Sequence, residues 1–141
     1  MRVVLDTNVL VSGLLSPFGP PGEIVRLVSS GSISLCLDAR ILTEYEEVLA
    51  RPKFSFDQDD VLALLDFIDS RSEFVAAQPL SVRLPDTDDE PFLEVTVAAS
   101  ADCLITGNMV HFPPDTLAGA TVVSPAEFMD RYRSGEHIGD T

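Results

Sequence analysis

The chain has 141 residues, of which 45% are apolar and 23% charged, and this predicts one domain with a sizeable core. Its formal net charge is −14, with 23 acids against 9 Lys and Arg, which weighs against a broad surface for phosphate backbones because such a surface needs clustered cations. No stretch has the length and apolarity of a membrane span, the first apolar run is cut at Asp6, too early for a signal peptide, and Cys36 and Cys103 read as reduced core thiols of a cytoplasmic protein.

Val3-Val4-Leu5 is apolar on both faces and predicts a buried parallel strand. Asp6 follows at its carboxyl end, where open α/β sheets bind ligands. A carboxylate at that depth needs a partner, most simply a cation. The alternative reading is a cap for the helix expected over Val9 to Leu15. Pro17, Gly19, Pro20, Pro21 and Gly22 mark a loop. A helix over Glu23 to Ser30 follows, with Ile24, Leu27 and Val28 on one face and Gly31 as its stop.

Ile33 to Leu37 predicts the second strand, and Asp38 is placed to cap a helix running to about Ala50. Ile41, Leu42, Tyr45, Val48 and Leu49 form its apolar stripe, with Glu44 and Glu46 flanking on opposite sides. Arg51-Pro52 ends it. Further elements follow in order: an amphipathic helix over Asp57 to Ser70, a short strand over Glu73 to Ala76, an acidic loop over Leu84 to Pro91 and a helix to about Ser100. Cys103-Leu104-Ile105 reads as a buried strand, Thr106 to Asp115 as a loop, and Thr121-Val122-Val123 as a last short strand. Ser124-Pro125 opens a final helix with Pro in its first turn. The expected domain covers 1–133, with a frayed tail over 134–141. Strands alternating with helices predict a mainly parallel sheet with helices on both faces.

Four polar spots fall where such a sheet gathers them: Asp6; Glu44 or Glu46; Asp86, Asp88 and Asp89; and Thr106-Gly107-Asn108. Two carboxylates about 4 Å apart cost about 4 kcal/mol at an effective dielectric constant of about 20. Their pKa values rise, or a divalent ion sits between them. Hard oxygen donors favour Mg²⁺ or Mn²⁺ over zinc. Each acid alone also has a structural reading, since Asp at a helix start caps it and Asn after Gly suits a turn. Arg40, Arg51 and Lys53 are candidates for a small basic group, with solvated surface as the alternative for each.

The chain resembles a PIN domain, and more narrowly the PIN-family proteins described as toxin components of toxin–antitoxin systems. The resemblance rests on Val4-Leu5-Asp6-Thr7-Asn8-Val9-Leu10, Thr43-Glu44-Tyr45-Glu46-Glu47-Val48-Leu49, Asp86-Thr87-Asp88-Asp89-Glu90-Pro91-Phe92-Leu93 and Ala101-Asp102-Cys103-Leu104-Ile105-Thr106-Gly107-Asn108. His111-Phe112-Pro113 extends it to the narrower group. It implies a three-layer α/β/α sandwich and a metal-dependent endoribonuclease using Mg²⁺ or Mn²⁺. The implied catalytic and metal positions are Asp6, Glu44 and Asp89, with Glu44 chosen over Glu46, and Asp86 as an outer ligand. The fourth position, usually Asp, is Asn108, whose amide brings no charge. Thr7, Asn8 and Thr106 are expected to orient ligands or waters, and His111 to contact phosphate or fill the missing role, with packing beside Phe112 as its other reading. The implied partners are an RNA substrate, an antitoxin protein and a second copy in a homodimer, with no membrane. The weakened fourth position and the charge of −14 support an alternative: a PIN-fold module that binds RNA or protein with little or no nuclease activity. A phospho-acceptor site with Asp at the end of strand one fits less well, because it calls for a lysine at a later strand end and the single lysine is Lys53.

Overall fold

The computed structural model describes residues 1–135 and 138. Five strands, β1 (Arg2–Leu5), β2 (Ser34–Leu37), β3 (Glu73–Phe74), β4 (Cys103–Ile105) and β5 (Val122–Val123), form one sheet in the order β3-β2-β1-β4-β5. Every pairing is parallel, with Val3 opposite Leu35 on one side and Cys103 on the other. Six helices complete a three-layer α/β fold: α1 (Thr7–Leu15), α2 (Pro20–Ser29), α3 (Ala39–Leu49), α4 (Gln58–Arg71), α5 (Glu90–Ala99) and α6 (Pro125–Ser134).

The apolar runs explain the centre of this sheet. Val3, Val4 and Leu5 of β1, Leu35, Cys36 and Leu37 of β2, and Cys103, Leu104 and Ile105 of β4 are all buried. Such strands must be covered on both faces, and α5 packs across β1, β2 and β4. Both cysteines are free and buried, and burial pushes their thiols up, to about 11 for Cys36 and about 12 for Cys103.

Strand order reverses at β1: the chain moves outward through β2 and β3, then returns to β4 on the other flank. The carboxyl end of β1 is therefore a topological switch point, where the flanking connections part and leave a crevice. Asp6 stands at that point.

The local signals act largely as expected. Asp38 Oδ1 accepts the Ile41 N–H at 3.1 Å and caps α3, while Ser124 Oγ accepts the Glu127 N–H at 3.1 Å and caps α6. Several boundaries differ: α1 starts at Thr7 rather than Val9, β3 ends at Phe74 rather than Ala76, and α5 starts at Glu90, inside the expected acidic loop. Pro20, Pro21 and Gly22 belong to α2 rather than to a loop. The prolines occupy its first turn, where a missing N–H costs nothing. Gly22 is needed because a Cβ there would stand 2.2 Å from the Pro17 carbonyl oxygen. At the other end, Ser134 closes α6 and Ile138 is buried against the core, so neither belongs to the frayed tail expected over 134–141. The rest of that expectation, at 136, 137 and 139–141, lies outside the described residues. Among the described residues, no helix is long and apolar enough to cross a membrane.

Candidate functional site

Asp6 leaves β1 with its N–H bonded to the Ile105 carbonyl at 3.0 Å, which continues the ladder one residue past the strand. Its side chain is 5% exposed. Although Asp6 precedes α1, no hydrogen bond from its carboxylate caps that helix. The nearby Thr7 and Asn8 amides lower its pKa without meeting hydrogen-bond geometry. The carboxylate instead accepts the Thr106 hydroxyl at 2.7 Å. Burial still dominates and raises its pKa above the ordinary carboxylate value.

Thr106 is fully buried at the end of β4 and serves two partners. Its Oγ1 donates to Asp6 and accepts the Asn108 N–H at 3.0 Å. Asn108 is thereby held through its backbone while its side chain is exposed. Asn8 Oδ1 accepts the Gly107 N–H at 3.4 Å and joins the β1 and β4 ends a second time.

On α3, Glu44 is half-buried and accepts the Thr7 hydroxyl. Glu46 is exposed, so geometry separates the two glutamates that helical periodicity alone left tied. Burial raises the Glu44 pKa, the Thr7 bond opposes this, and the charges of Asp6 and Asp88 raise it further. Tyr45, read from sequence as core, also donates its hydroxyl to the Leu5 carbonyl at 2.5 Å, fixing α3 beside the end of β1.

Asp86, Asp89 and His111 form a second lobe. Asp86 Oδ1 accepts the Asp88 N–H at 2.9 Å and caps a 3₁₀ turn over Thr87–Asp89. Asp89 makes no capping bond to α5, and its Oδ2 lies 3.0 Å from His111 Nδ1. Ligand atoms of Asp86, Asp89 and His111 all lie within 4.8 Å of one another. Asp6 and Glu44 stand outside that tight group, and the charges of Asp6 and His111 and of Asp6 and Asp89 act on one another. Burial and then the Asp6 charge push Asp89 up to about 6, with Asp86 adding and His111 opposing.

Arg40, a candidate for a basic group, is instead consumed by structure. It donates to Asp38 at 2.7 Å and to the buried Glu94 at 2.9 Å, tying the start of α3 to α5. Glu94 went unremarked in the sequence. Its signal was a lone charge in the run Phe92-Leu93-Glu94-Val95, which must be paired if that face is buried.

The side chains of Asp6, Thr7, Asn8, Glu44, Arg51 and Phe54 line an open cleft of about 370 Å³. Burial raises Asp6, Glu44 and Asp89 above their ordinary values, and the charge of Asp6 raises Glu44 and Asp89 further. Hard oxygen donors under mutual repulsion suit a divalent cation, so the residues present fit one.

A sequence profile described as the PIN domain matches residues 2–110. An uncharacterized protein of Methanocaldococcus jannaschii is 30% identical over 111 residues, spanning 77% of this chain and 71% of that protein. No solved structure matched.

Proposed function

The chain belongs to the PIN-domain family, a nuclease fold, and from that premise we propose that it is a Mg²⁺- or Mn²⁺-dependent endoribonuclease. The observation that supports this reading is that Asp6 and Glu44 line one cleft at the carboxyl end of β1, and that the charge of Asp6 acts on both Glu44 and Asp89. These three carboxylates would hold the ion, with Asp86 at the outer edge and the Asn108 amide as a neutral donor. When bound, the ion supplies a water acidic enough to attack phosphorus near neutral pH and positive charge to offset the phosphate oxygens.

The remaining groups orient the ligands. Thr106 fixes the Asp6 carboxylate through its hydroxyl, and Thr7 does the same for Glu44. His111 holds Asp89 from the loop side. Burial of Asp6 removes competing water, which strengthens each charge interaction inside the site.

The test is RNA cleavage with Mg²⁺ or Mn²⁺, repeated with Asp6→Asn and Asp89→Asn. Loss in both variants supports the assignment, and unchanged cleavage in both rejects it. A second reading, a PIN-fold module that binds RNA or protein with little turnover, is favoured by Asn108 at the family's fourth acidic position. RNA binding without cleavage at any metal concentration selects that reading. The proposal extends to a cytoplasmic toxin that pairs as a homodimer. The acidity of the cleft supports a cognate antitoxin that covers it with an Arg, since guanidinium pairs carboxylates bidentately.

A further inference from the structure

We infer that Arg51 and Lys53 form a phosphate subsite for single-stranded RNA beside the acidic centre, an inference that rests on the ribonuclease reading above. The Arg51-Pro52-Lys53-Phe54 segment follows α3 directly. Pro52–Phe54 is a 3₁₀ turn, closed by the Ser55 N–H on the Pro52 carbonyl at 3.1 Å. Pro52 and this bond hold the turn in one shape. Arg51 and Phe54 line the same cleft as Asp6 and Glu44. Lys53 projects from the turn with its Nζ 5.1 Å from the centre of the Phe54 ring.

Arg26 and Arg71 also lack a carboxylate partner among the described residues, so what sets Arg51 and Lys53 apart is light use combined with a place at the acidic cleft. Arg40 is engaged by Asp38 and Glu94, Arg2 by Glu73, and Arg133 by Glu23. Arg51 meets only Glu47, one turn back, at 3.3 Å, and that carboxylate is 70% exposed. A pair of this kind adds little and exchanges readily. Lys53 has no carboxylate partner among the described residues. On a chain of −14, Arg51 on the wall of the acidic cleft and Lys53 on the turn beside it are a local exception to the field.

Charge complementarity selects the occupant. A phosphodiester entering the cleft faces repulsion from the acids, and the neighbouring phosphate of the same strand can reach Arg51 and Lys53. A duplex would bring a second row of phosphates against a chain whose net charge is −14. The Phe54 ring, stacked on Phe56 at 5.4 Å between centroids, gives the intervening nucleotide an aromatic wall.

The experiment compares Arg51→Ala, Lys53→Ala and the double variant with Arg133→Ala as a distant control, all at exposed positions. Cleavage of a single-stranded oligoribonucleotide should show KM raised about tenfold in the double variant and kcat within about twofold. Binding of the same labelled oligonucleotide, measured in the Asp6→Asn background, should lose about 0.7 from its log–log salt slope for each cation removed. Unchanged KM and slope in the double variant, an equal loss with Arg133→Ala, or tighter binding of duplex than of single strand would each overturn the inference. If the wild-type chain binds RNA with this cation dependence but never cleaves it, the subsite stands and the nuclease reading falls. If it does not bind RNA, both fall.

Discussion

Thr106 Oγ1 lies 2.7 Å from Asp6 Oδ2, and the two residues are 100 positions apart in the chain. Both are buried. The hydroxyl is the most direct support that this carboxylate has, and it also receives the Asn108 N–H. Thr106→Val keeps the shape and removes both bonds. It should cost about 1–3 kcal/mol in denaturant unfolding, because a buried acceptor and a backbone donor lose their partner. Metal affinity measured by calorimetry should fall with it, and Thr106→Ser should restore both quantities.

Asp89 sets a pH dependence for the metal-free protein. Its pKa is pushed from an ordinary 3.8 to about 6, so between those values the folded chain holds more protons than the unfolded chain. The contribution of this group to stability is therefore present at low pH and is lost as pH rises through about 6. Melting temperature should decline from pH 5 to pH 7.5 more steeply in the wild type than in Asp89→Asn. Added Mn²⁺ or Mg²⁺ should remove the difference by compensating the charge.

Asp6→Asn should separate stability from activity. The buried charge is removed while an oxygen remains to accept the Thr106 hydroxyl. Cleavage should drop by about a hundredfold or more, from loss of a metal ligand, while the metal-free melting temperature stays the same or rises. A large fall in melting temperature would show that the charge itself is structural.

Asn108 has an exposed side chain and a backbone fixed by Thr106. Asn108→Asp adds one formal negative charge at a position already oriented. Divalent-ion affinity in calorimetry should rise by about tenfold, or about 1.4 kcal/mol. No change would place residue 108 outside the coordination sphere.

Two glycines let α2 close against α1 and against the loop that joins them. A Cβ at Gly22 would meet the Pro17 carbonyl oxygen at 2.2 Å, and one at Gly13 would meet the Pro21 carbonyl oxygen at 2.6 Å. Backbone cannot yield as a flexible side chain does. Gly22→Ala should cost about 1–3 kcal/mol or more in urea unfolding, with the metal site unchanged once folded.

Much of this arrangement is legible in the residues. The apolar triplets Val3-Val4-Leu5 and Cys103-Leu104-Ile105 have no solvent face, so they announce central parallel strands, and the polar residue ending each marks the same edge of the sheet. Asp38 and Ser124 carry their caps openly. Gly22 was less legible, because Pro-Pro-Gly suits a turn as well as the first turn of a helix, and only the proximity of Pro17 decides. The order β3-β2-β1-β4-β5 is not written in any one segment, so periodicity could not choose between Glu44 and Glu46. The resemblance chose Glu44, and in the fold Glu44 meets Thr7 while Glu46 is exposed. The pairing of Arg40 with Glu94 was hidden because it joins residues 54 apart.

Because Asp6 follows the first strand and its buried partner Thr106 follows a strand completed a hundred residues later, the bond that holds this carboxylate cannot form on a partly synthesised chain. A ribosome must deliver nearly the whole polypeptide before β4 can dock beside β1. The orientation of the Asp6 carboxylate is thus set late in synthesis, by topology alone.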